Sequence, residues 1–317
     1  MSQQKKKVLF VCTPHCVLQQ TLEKAGFSCD MHSCMSITEV KHIIHNYCGI
    51  IVNSRFTLDR DFIDAATNLN FIGRIGAGME SIDVEYAKSR GIKCFNSPEG
   101  NRDAVGEHAL GMLLMLLNRL NISDREVREG KWIREENRGH EIKNKTVAII
   151  GYGNMGSAFA QRLRGFEAKV IAYDKYKNNF SNEFVTEVCM ADVFEKADIV
   201  SLHVPLTEET KYLVSEAWLQ SFRKNIYLIN TARGKVVDTA DLVNGLQSGK
   251  VKGAALDVIE FEGAGFETMD FTSLPESFQY LTSSENVVLS PHIAGWTEES
   301  KLKLSSVLAE KIILEFK

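Results

Sequence analysis

Only five prolines interrupt the 317 residues, and no segment has the composition of a disordered one. The longest apolar stretch, Gly111–Leu117, falls far short of the roughly 18 residues that a membrane-spanning helix needs, so no membrane span is expected. An excess of one charge is also missing. With 41 acids against 37 bases the formal charge is −4, which leaves no footprint for nucleic acid or an anionic membrane. The N-terminal MSQQKKKVLFVC carries a basic patch but too short an apolar run for a signal peptide, and it reads as the first strand of a cytoplasmic protein. Paired cysteine motifs are lacking too. There are seven cysteines, and Cys12, Cys16, Cys29, Cys34, Cys48 and Cys94 crowd the first hundred residues beside His15, His32, His42 and His45. The odd count and the absence of a CxxC knuckle favour free thiols in a reducing compartment over a disulfide framework, and no metal site is expected.

What is present is alternation. Short apolar runs at Val8–Val11, Cys29–His32, Gly49–Val52, Phe71–Ile75 and Lys93–Phe95 are separated by helical patterns such as Thr38–Asn46, Asp61–Ala66 and Val84–Arg90. That pattern predicts a parallel sheet covered on both faces. Pro98 and Gly100 then break the chain, and a helix over Asp103–Leu120 follows, apolar around most of its circumference. Such a helix must be buried all round, within its own domain or against a second copy, and a homodimer through this region is expected.

The stretch Thr146–Asp174 reads as strand, glycine turn, helix, strand and acid. Val147–Ile150 is an apolar run suited to a strand buried on both faces. Gly151 allows a sharp exit from it, Gly153 leaves room for a pyrophosphate against backbone N–H groups, and Gly156 lets helix and strand pack closely. Asp174 stands near the offset of about 20 residues at which a carboxylate meets the adenosine ribose hydroxyls. A 2′-phosphate there would be repelled, so NAD is expected over NADP. Lys175 and Lys177 follow and read as surface lysines of a loop.

Further buried strands are expected at Asp198–His203, Ile226–Asn230, Gly253–Val258 and Asn286–Leu289. The loops after them, HVPLTEET, NTARG, LDVIEFEG and SPHIAG, should converge on a ligand at the carboxyl ends of the sheet. Three of these loops hold groups suited to reducing a 2-oxo acid. Arg233 offers a planar fork for a carboxylate and the adjacent carbonyl oxygen. His292 can give or take a proton near neutral pH, and Glu262 can orient that imidazole and favour its charged form.

The ordered motifs GRIGAGMESID (ending at Asp83), FNSPEGNRDAVGEHAL (Phe95–Leu110), GYGNMG, HVPLTEET, NTARGKVVD, GAALDV and SPHIAG span essentially the whole chain. In these the sequence resembles the D-2-hydroxyacid dehydrogenases, the family that includes D-3-phosphoglycerate dehydrogenase, glyoxylate/hydroxypyruvate reductase and D-lactate dehydrogenase. The resemblance implies two Rossmann/flavodoxin-like parallel-sheet domains with a cleft between them: a substrate domain at 1–98 plus 290–317 and an NAD-binding domain at 99–289. Two chain crossings would form a hinge, so that closure excludes water. It implies a catalytic set of Arg233, Glu262 and His292, and a dinucleotide lined by Asn154, Met155, Asp174, His203, Val204, Pro205, Thr231 and Ala232. Asp257 would lie near the nicotinamide, and the main chain at Ala77 and Gly78 would receive the substrate carboxylate. His203 is read as shaping the cofactor loop, and His108 as packing or hydrogen-bonding on the long helix.

The sequence departs from the family pattern in places. Gly263 stands where the family usually has proline, and Glu80 where its loop commonly has an aspartate followed by asparagine. The segment after Gly263 is longer than usual, and its neighbourhood holds Phe261, Phe266, Phe271 and Phe278, which can pack against a cleft or a partner. The chain stops at Lys317 without an appended regulatory domain, so feedback control at such a domain is not expected. Arg74, Arg55 and Arg134 would, if all three faced the cleft, suit a phosphorylated acid, which makes 3-phosphoglycerate the leading substrate and hydroxypyruvate or glyoxylate the next. Pairing with Asp59, Glu135 or Glu136 is the mundane alternative for these arginines, and Trp296 can cap the pocket or pack. A non-catalytic reading also stands, an NADH-sensing protein that acts by dimerising.

Overall fold

The computed structural model of the chain describes residues 6–263 and 274–316. The chain divides into two compact units, one running through Asn101 and resuming at Trp296 with Gly263 added, the other holding Arg102–Glu262 and residues 274–295.

The first unit contains β1 (Lys6–Phe10), α1 (Cys16–Lys24), β2 (Phe27–Met31), α2 (Ile37–Ile43), β3 (Gly49–Val52), α3 (Arg60–Ala65), β4 (Phe71–Arg74), α4 (Val84–Ser89) and β5 (Lys93–Phe95). The strands pair in parallel in the order β2-β1-β3-β4-β5. Parallel strands need covered crossovers, which is why β3 is buried along its whole length. The last helix of the chain belongs to this unit and lies on one face of the sheet. Its Leu308 and Ile312 pack with Val8, Phe10, Ile51 and Phe71. A Cβ at Gly100 would stand 2.5 Å from the Leu304 backbone nitrogen, so glycine there lets the two segments touch.

The second unit contains α5 (Arg102–Leu117), α6 (Leu120–Arg128), β6 (Thr146–Ile150), α7 (Asn154–Arg162), β7 (Lys169–Tyr173), β8 (Val185–Glu187), α8 (Met190–Lys196), β9 (Ile199–Leu202), α9 (Glu216–Gln220), β10 (Ile226–Asn230), α10 (Thr239–Gln247), β11 (Val251–Leu256), α11 (Glu276–Ser283) and β12 (Val287–Leu289); α12 (Glu298–Phe316) is the return helix of the first unit. All pairings are parallel, in the order β12-β11-β10-β9-β6-β7-β8. Strand order reverses between β6 and β9, and in such sheets the carboxyl ends at the reversal form a binding crevice.

Several expectations shift here. The long helix ends at Leu117 rather than Leu120, because Arg119 adopts a left-handed φ of 53° and α6 starts beyond it. Within the single chain it is buried on one side. Ala109, Met112, Leu113 and Leu116 face the core, whereas Glu107 and Gly111 are exposed and Met115 is 37% exposed. Gly106 brings α5 against α7, where a Cβ would sit 3.0 Å from the Ala158 carbonyl. The short β8 was not anticipated. Residues 290–295, expected in the substrate domain, lie in the second unit, held there by the Asp257 carboxylate.

Phe261 and Phe278 meet edge to face at 6.1 Å, while Phe266 and Phe271 lie outside the described residues. Among the described residues no helix is long and apolar enough to cross a membrane, no side-chain cluster has the makings of a metal site, and all seven cysteines are free.

Candidate active site

The glycine turn follows β6 as a continuation of the sheet. Gly151 donates its N–H to the Tyr173 carbonyl at 2.8 Å and adopts φ 90°, a region open chiefly to glycine. A Cβ there would meet the His203 carbonyl at 2.6 Å, and one on Gly156 would meet the Gly151 carbonyl at 2.1 Å. Gly153 is different, since nothing lies within 4 Å of where its Cβ would be. It precedes α7 and offers no side chain to cap the first-turn N–H groups. Asn154 and Met155 form the first turn of that helix, both half-buried.

Asp174 ends β7 beside the turn. One carboxylate oxygen accepts the Tyr152 N–H at 2.8 Å, and the other accepts those of Tyr176 and Lys177 at 2.9 and 3.0 Å. A cavity of about 640 Å³ opens next to it, with Asn178, Ser181, Glu187, Cys189 and Asp192 in its wall. Lys175 pairs with Glu209 at 2.8 Å and Lys177 bonds the Tyr152 carbonyl at 3.1 Å, so both lysines have partners other than the Asp174 carboxylate.

The loop after β9 carries His203, Val204 and Pro205. Thr210 closes it, its hydroxyl donating to the Pro205 carbonyl at 2.6 Å while accepting the Thr207 N–H at 2.8 Å. The His203 Nε2 and the Ser201 hydroxyl are 2.9 Å apart, and burial pushes the imidazole down to about 3. His203 Nδ1 and the Thr231 hydroxyl are buried without a partner among the described residues. Orphaned polar atoms at strand ends, a helix start without a side-chain cap and an open Gly153 together fit a bound dinucleotide.

Arg233 sits in a turn that Asn230 holds. The Asn230 side chain accepts the Ala232 N–H and donates to the Arg233 carbonyl, both at 3.0 Å. A Cβ on Gly234 would fall 1.8 Å from the Ile259 carbonyl, so the Arg233 turn rests directly on the loop that carries Glu262. Glu262 in turn meets His292: Oε2 lies 2.6 Å from Nδ1, and Oε1 accepts the Ile259 N–H. A hydrogen on Nδ1 directed at that carboxylate fixes the tautomer of a neutral imidazole. The carboxylate and imidazole are partly buried, with 19% and 26% of their side chains exposed.

Asp257 is tied into the loop that carries His292. Its carboxylate is 1% exposed and turned toward protein. It accepts the Ser290 hydroxyl at 2.6 Å and the N–H groups of Ile293 and Ala294 at 2.9 Å each, while its main-chain carbonyl accepts the His292 N–H at 2.7 Å. Burial works against its charge, but the His108, Ser290, Ala294 and Ile293 donors outweigh this and hold the carboxyl below its ordinary range. Asp257 therefore anchors the loop of His292, a role for which the sequence signal was its place opposite SPHIAG at the end of a neighbouring strand.

The three substrate arginines are not equivalent. The Arg55 guanidinium donates to the carbonyls of Ser33 (2.6 Å) and Met35 and lies 4.3 Å over the Phe56 ring. Arg74 bonds the Ile75 carbonyl at 3.2 Å and occupies the space beside Gly76. Arg134 is exposed, in an irregular stretch of the second unit. Ala77 and Gly78 are half-buried in the loop after β4, with the Ala77 carbonyl held by Asn96 at 2.6 Å.

A sheet reversal with a glycine turn and a following acid is the arrangement of a dinucleotide-binding domain. Residues 110–294 match the profile of the D-isomer specific 2-hydroxyacid dehydrogenase NAD-binding domain. The chain belongs to the D-isomer-specific 2-hydroxyacid dehydrogenase family. It is 38% identical to the glyoxylate reductase of Thermofilum pendens, over 82% of this chain and 76% of that protein. It is 34% identical to the D-3-phosphoglycerate dehydrogenase of Archaeoglobus fulgidus over 92% of this chain, yet spans only 54% of that protein. Among solved structures, D-lactate dehydrogenase from Aquifex aeolicus complexed with NAD and lactic acid superposes with a TM-score of 0.81 at 27% identity, covering 96% of this chain and 94% of that one.

Proposed function

We propose that this chain moves hydride between NAD(H) and a small, unphosphorylated 2-hydroxy/2-oxo acid of the glyoxylate and hydroxypyruvate class. The observation that carries the chemistry is the Glu262–His292 contact at 2.6 Å on a loop packed against the Arg233 turn. Glycines 151, 153 and 156, Asp174 and Thr231 would hold the dinucleotide, which supplies the hydride when bound. In reduction, Arg233 fixes the carboxylate and carbonyl oxygen of the 2-oxo acid and draws charge toward that oxygen. His292 gives the Nε2 proton to the forming hydroxyl, and Glu262 holds the imidazole and stabilises its charged form. Oxidation runs the same transfers backward. The main chain of Ala77 and Gly78 is the proposed receiver of the substrate carboxylate.

Size selection follows from the arginines. Arg55 gives a donor from each terminal nitrogen to the Ser33 and Met35 carbonyls, which weakens the case for a phosphate site built from three guanidinium groups. The similarity to phosphoglycerate dehydrogenase and the place of Arg74 keep 3-phosphohydroxypyruvate as the second reading. Asp174 and the acidic cavity wall of Glu187 and Asp192 favour NAD over NADP. We assign the protein to the cytoplasm, consistent with its free thiols, and to a homodimer, consistent with exposed apolar residues following the long helix: Leu120 at 51%, Val127 at 52% and Trp132 at 81%.

The test is NADH oxidation followed by absorbance with glyoxylate, hydroxypyruvate and 3-phosphohydroxypyruvate side by side, with oligomer size measured on the same samples. Turnover fastest with either of the first two supports the reading. A clear preference for the phosphorylated acid moves the assignment to the second. NADH binding and assembly without turnover on any acid would establish a sensing protein instead.

A further inference from the structure

We propose that His108 is a positioning residue for proton transfer by His292, acting through Ser290 and Asp257. The inference rests on the reading of His292 as the proton carrier. His108 lies on α5, and its Nε2 is 2.9 Å from the Ser290 hydroxyl and 3.4 Å from the Asp257 carboxylate. Ser290 Oγ also touches Met112, one turn further along the same helix, at 3.5 Å. Ser290 thus sits across two successive turns of α5, and the helix backs the loop that leads into His292.

Counting hydrogens fixes the direction of these bonds. The Ser290 hydroxyl has one proton, and its contact with the ionised Asp257 oxygen at 2.6 Å is the short, charge-assisted one. The serine oxygen therefore accepts from its other neighbour, and His108 must carry hydrogen on Nε2. The same N–H leans on the Asp257 oxygen. One carboxylate then gathers donors from α5, from Ser290, from Ile293 and from Ala294, and three of these flank His292 on the chain.

That grip answers a local strain. His292 has φ 55°, the left-handed region that a residue with a Cβ adopts only under constraint. Its side chain must nevertheless present Nε2 while Nδ1 meets Glu262. Weakening the anchor lets residues 290–294 drift toward an ordinary backbone conformation and carries the imidazole off its line. A displacement of about 1 Å in a reacting group can cost on the order of a hundredfold in rate. A partial loosening through His108 should cost less.

The experiment compares His108→Ala, His108→Gln and Ser290→Ala with the unaltered protein, measuring kcat, KM for the 2-oxo acid, NADH affinity by fluorescence titration, and melting temperature. His108→Ala should lower kcat about tenfold while NADH affinity stays within about twofold, as a displaced proton carrier predicts. His108→Gln keeps an N–H within reach of Ser290 and should recover most of that loss. Ser290→Ala should match His108→Ala, and the double variant should be no slower than either single one. Unchanged kcat in His108→Ala, no rescue by glutamine, a loss seen only in NADH affinity, or additive effects in the double variant would each overturn the proposal. Should His108→Ala fail to fold, His108→Gln against Ser290→Ala decides alone. His292→Asn run in parallel separates the two claims: if it keeps turnover, the reading of His292 falls first.

Discussion

Two turns in the second unit solve the same backbone problem in opposite ways. Gly151 after β6 and His292 after β12 both leave a strand with positive φ, 90° and 55°, and both have their N–H satisfied, by the Tyr173 and Asp257 carbonyls. At the first, the space beside the chain must stay empty, and the His203 carbonyl would strike any side chain. Glycine is the answer. At the second, the proposed proton transfer would need an imidazole, which glycine cannot supply, and a residue with a Cβ takes the strained conformation. A buried carboxylate with several donors holds the loop in place of conformational freedom. At these two turns, then, the strained histidine keeps a side chain and the strained glycine leaves no room for one.

His292→Asn breaks the comparison most severely. Asparagine tolerates left-handed φ, so the melting temperature should hold, while kcat should fall by about 10²–10⁴, the usual worth of a general acid. Steady-state kinetics beside thermal melts checks both halves. Gly151→Ala attacks the other turn. With φ 90° and a 2.6 Å clash, the fold should lose about 2–4 kcal/mol, read from the denaturant midpoint, and NADH affinity should fall with it. Asp174→Asn removes the negative charge and one of the two acceptor oxygens that hold the turn. The preference for NADH over NADPH should shrink about tenfold, equivalent to the loss of one charge-assisted contact. Relative kcat/KM with the two coenzymes measures it.

The smallest effect at neutral pH concerns stability. His203 is held neutral down to about 3, whereas an unfolded histidine takes up a proton near 6.5. The unfolded chain binds the extra proton between those values, so stability should fall as pH drops from 6.5 toward 3, by at most about 1.4 kcal/mol per pH unit from this group. Asp257 adds a second loss lower down, because its depressed carboxyl stabilises the fold above about 3.9 and ceases to as pH falls through its folded value. Melting temperature against pH for His203→Asn should be flatter between 6.5 and 4 than for the native chain. An unchanged slope would exclude His203 as its source.

Much of this was legible in the residues. Gly49–Val52 and Ile226–Asn230 were read at their observed bounds, because strands buried along their whole length read as hydrophobic segments. Val185–Glu187 escaped notice, since three residues with one buried side chain at a sheet edge carry no such signal. The helix from Arg102 was read too long because Asn118 and Arg119 contain neither glycine nor proline to mark its end. The Glu262–His292 contact followed from chemistry and motif together. The anchoring of Asp257 did not, for its partner His108 lies 182 positions from Ser290, and only the fold brings α5 behind that loop. The carbonyl partners of Arg55 were not legible, because a guanidinium near a strand end serves a carbonyl as readily as an anion.

Gly234 has one more implication. Its α-carbon is pressed so closely on the Ile259 peptide that the guanidinium-bearing turn and the carboxylate-bearing loop share a common seat. They cannot be adjusted separately, by breathing motions or by substitution. A larger residue at 234 would therefore be expected to disturb substrate grip and proton delivery in one stroke, whichever side gave way.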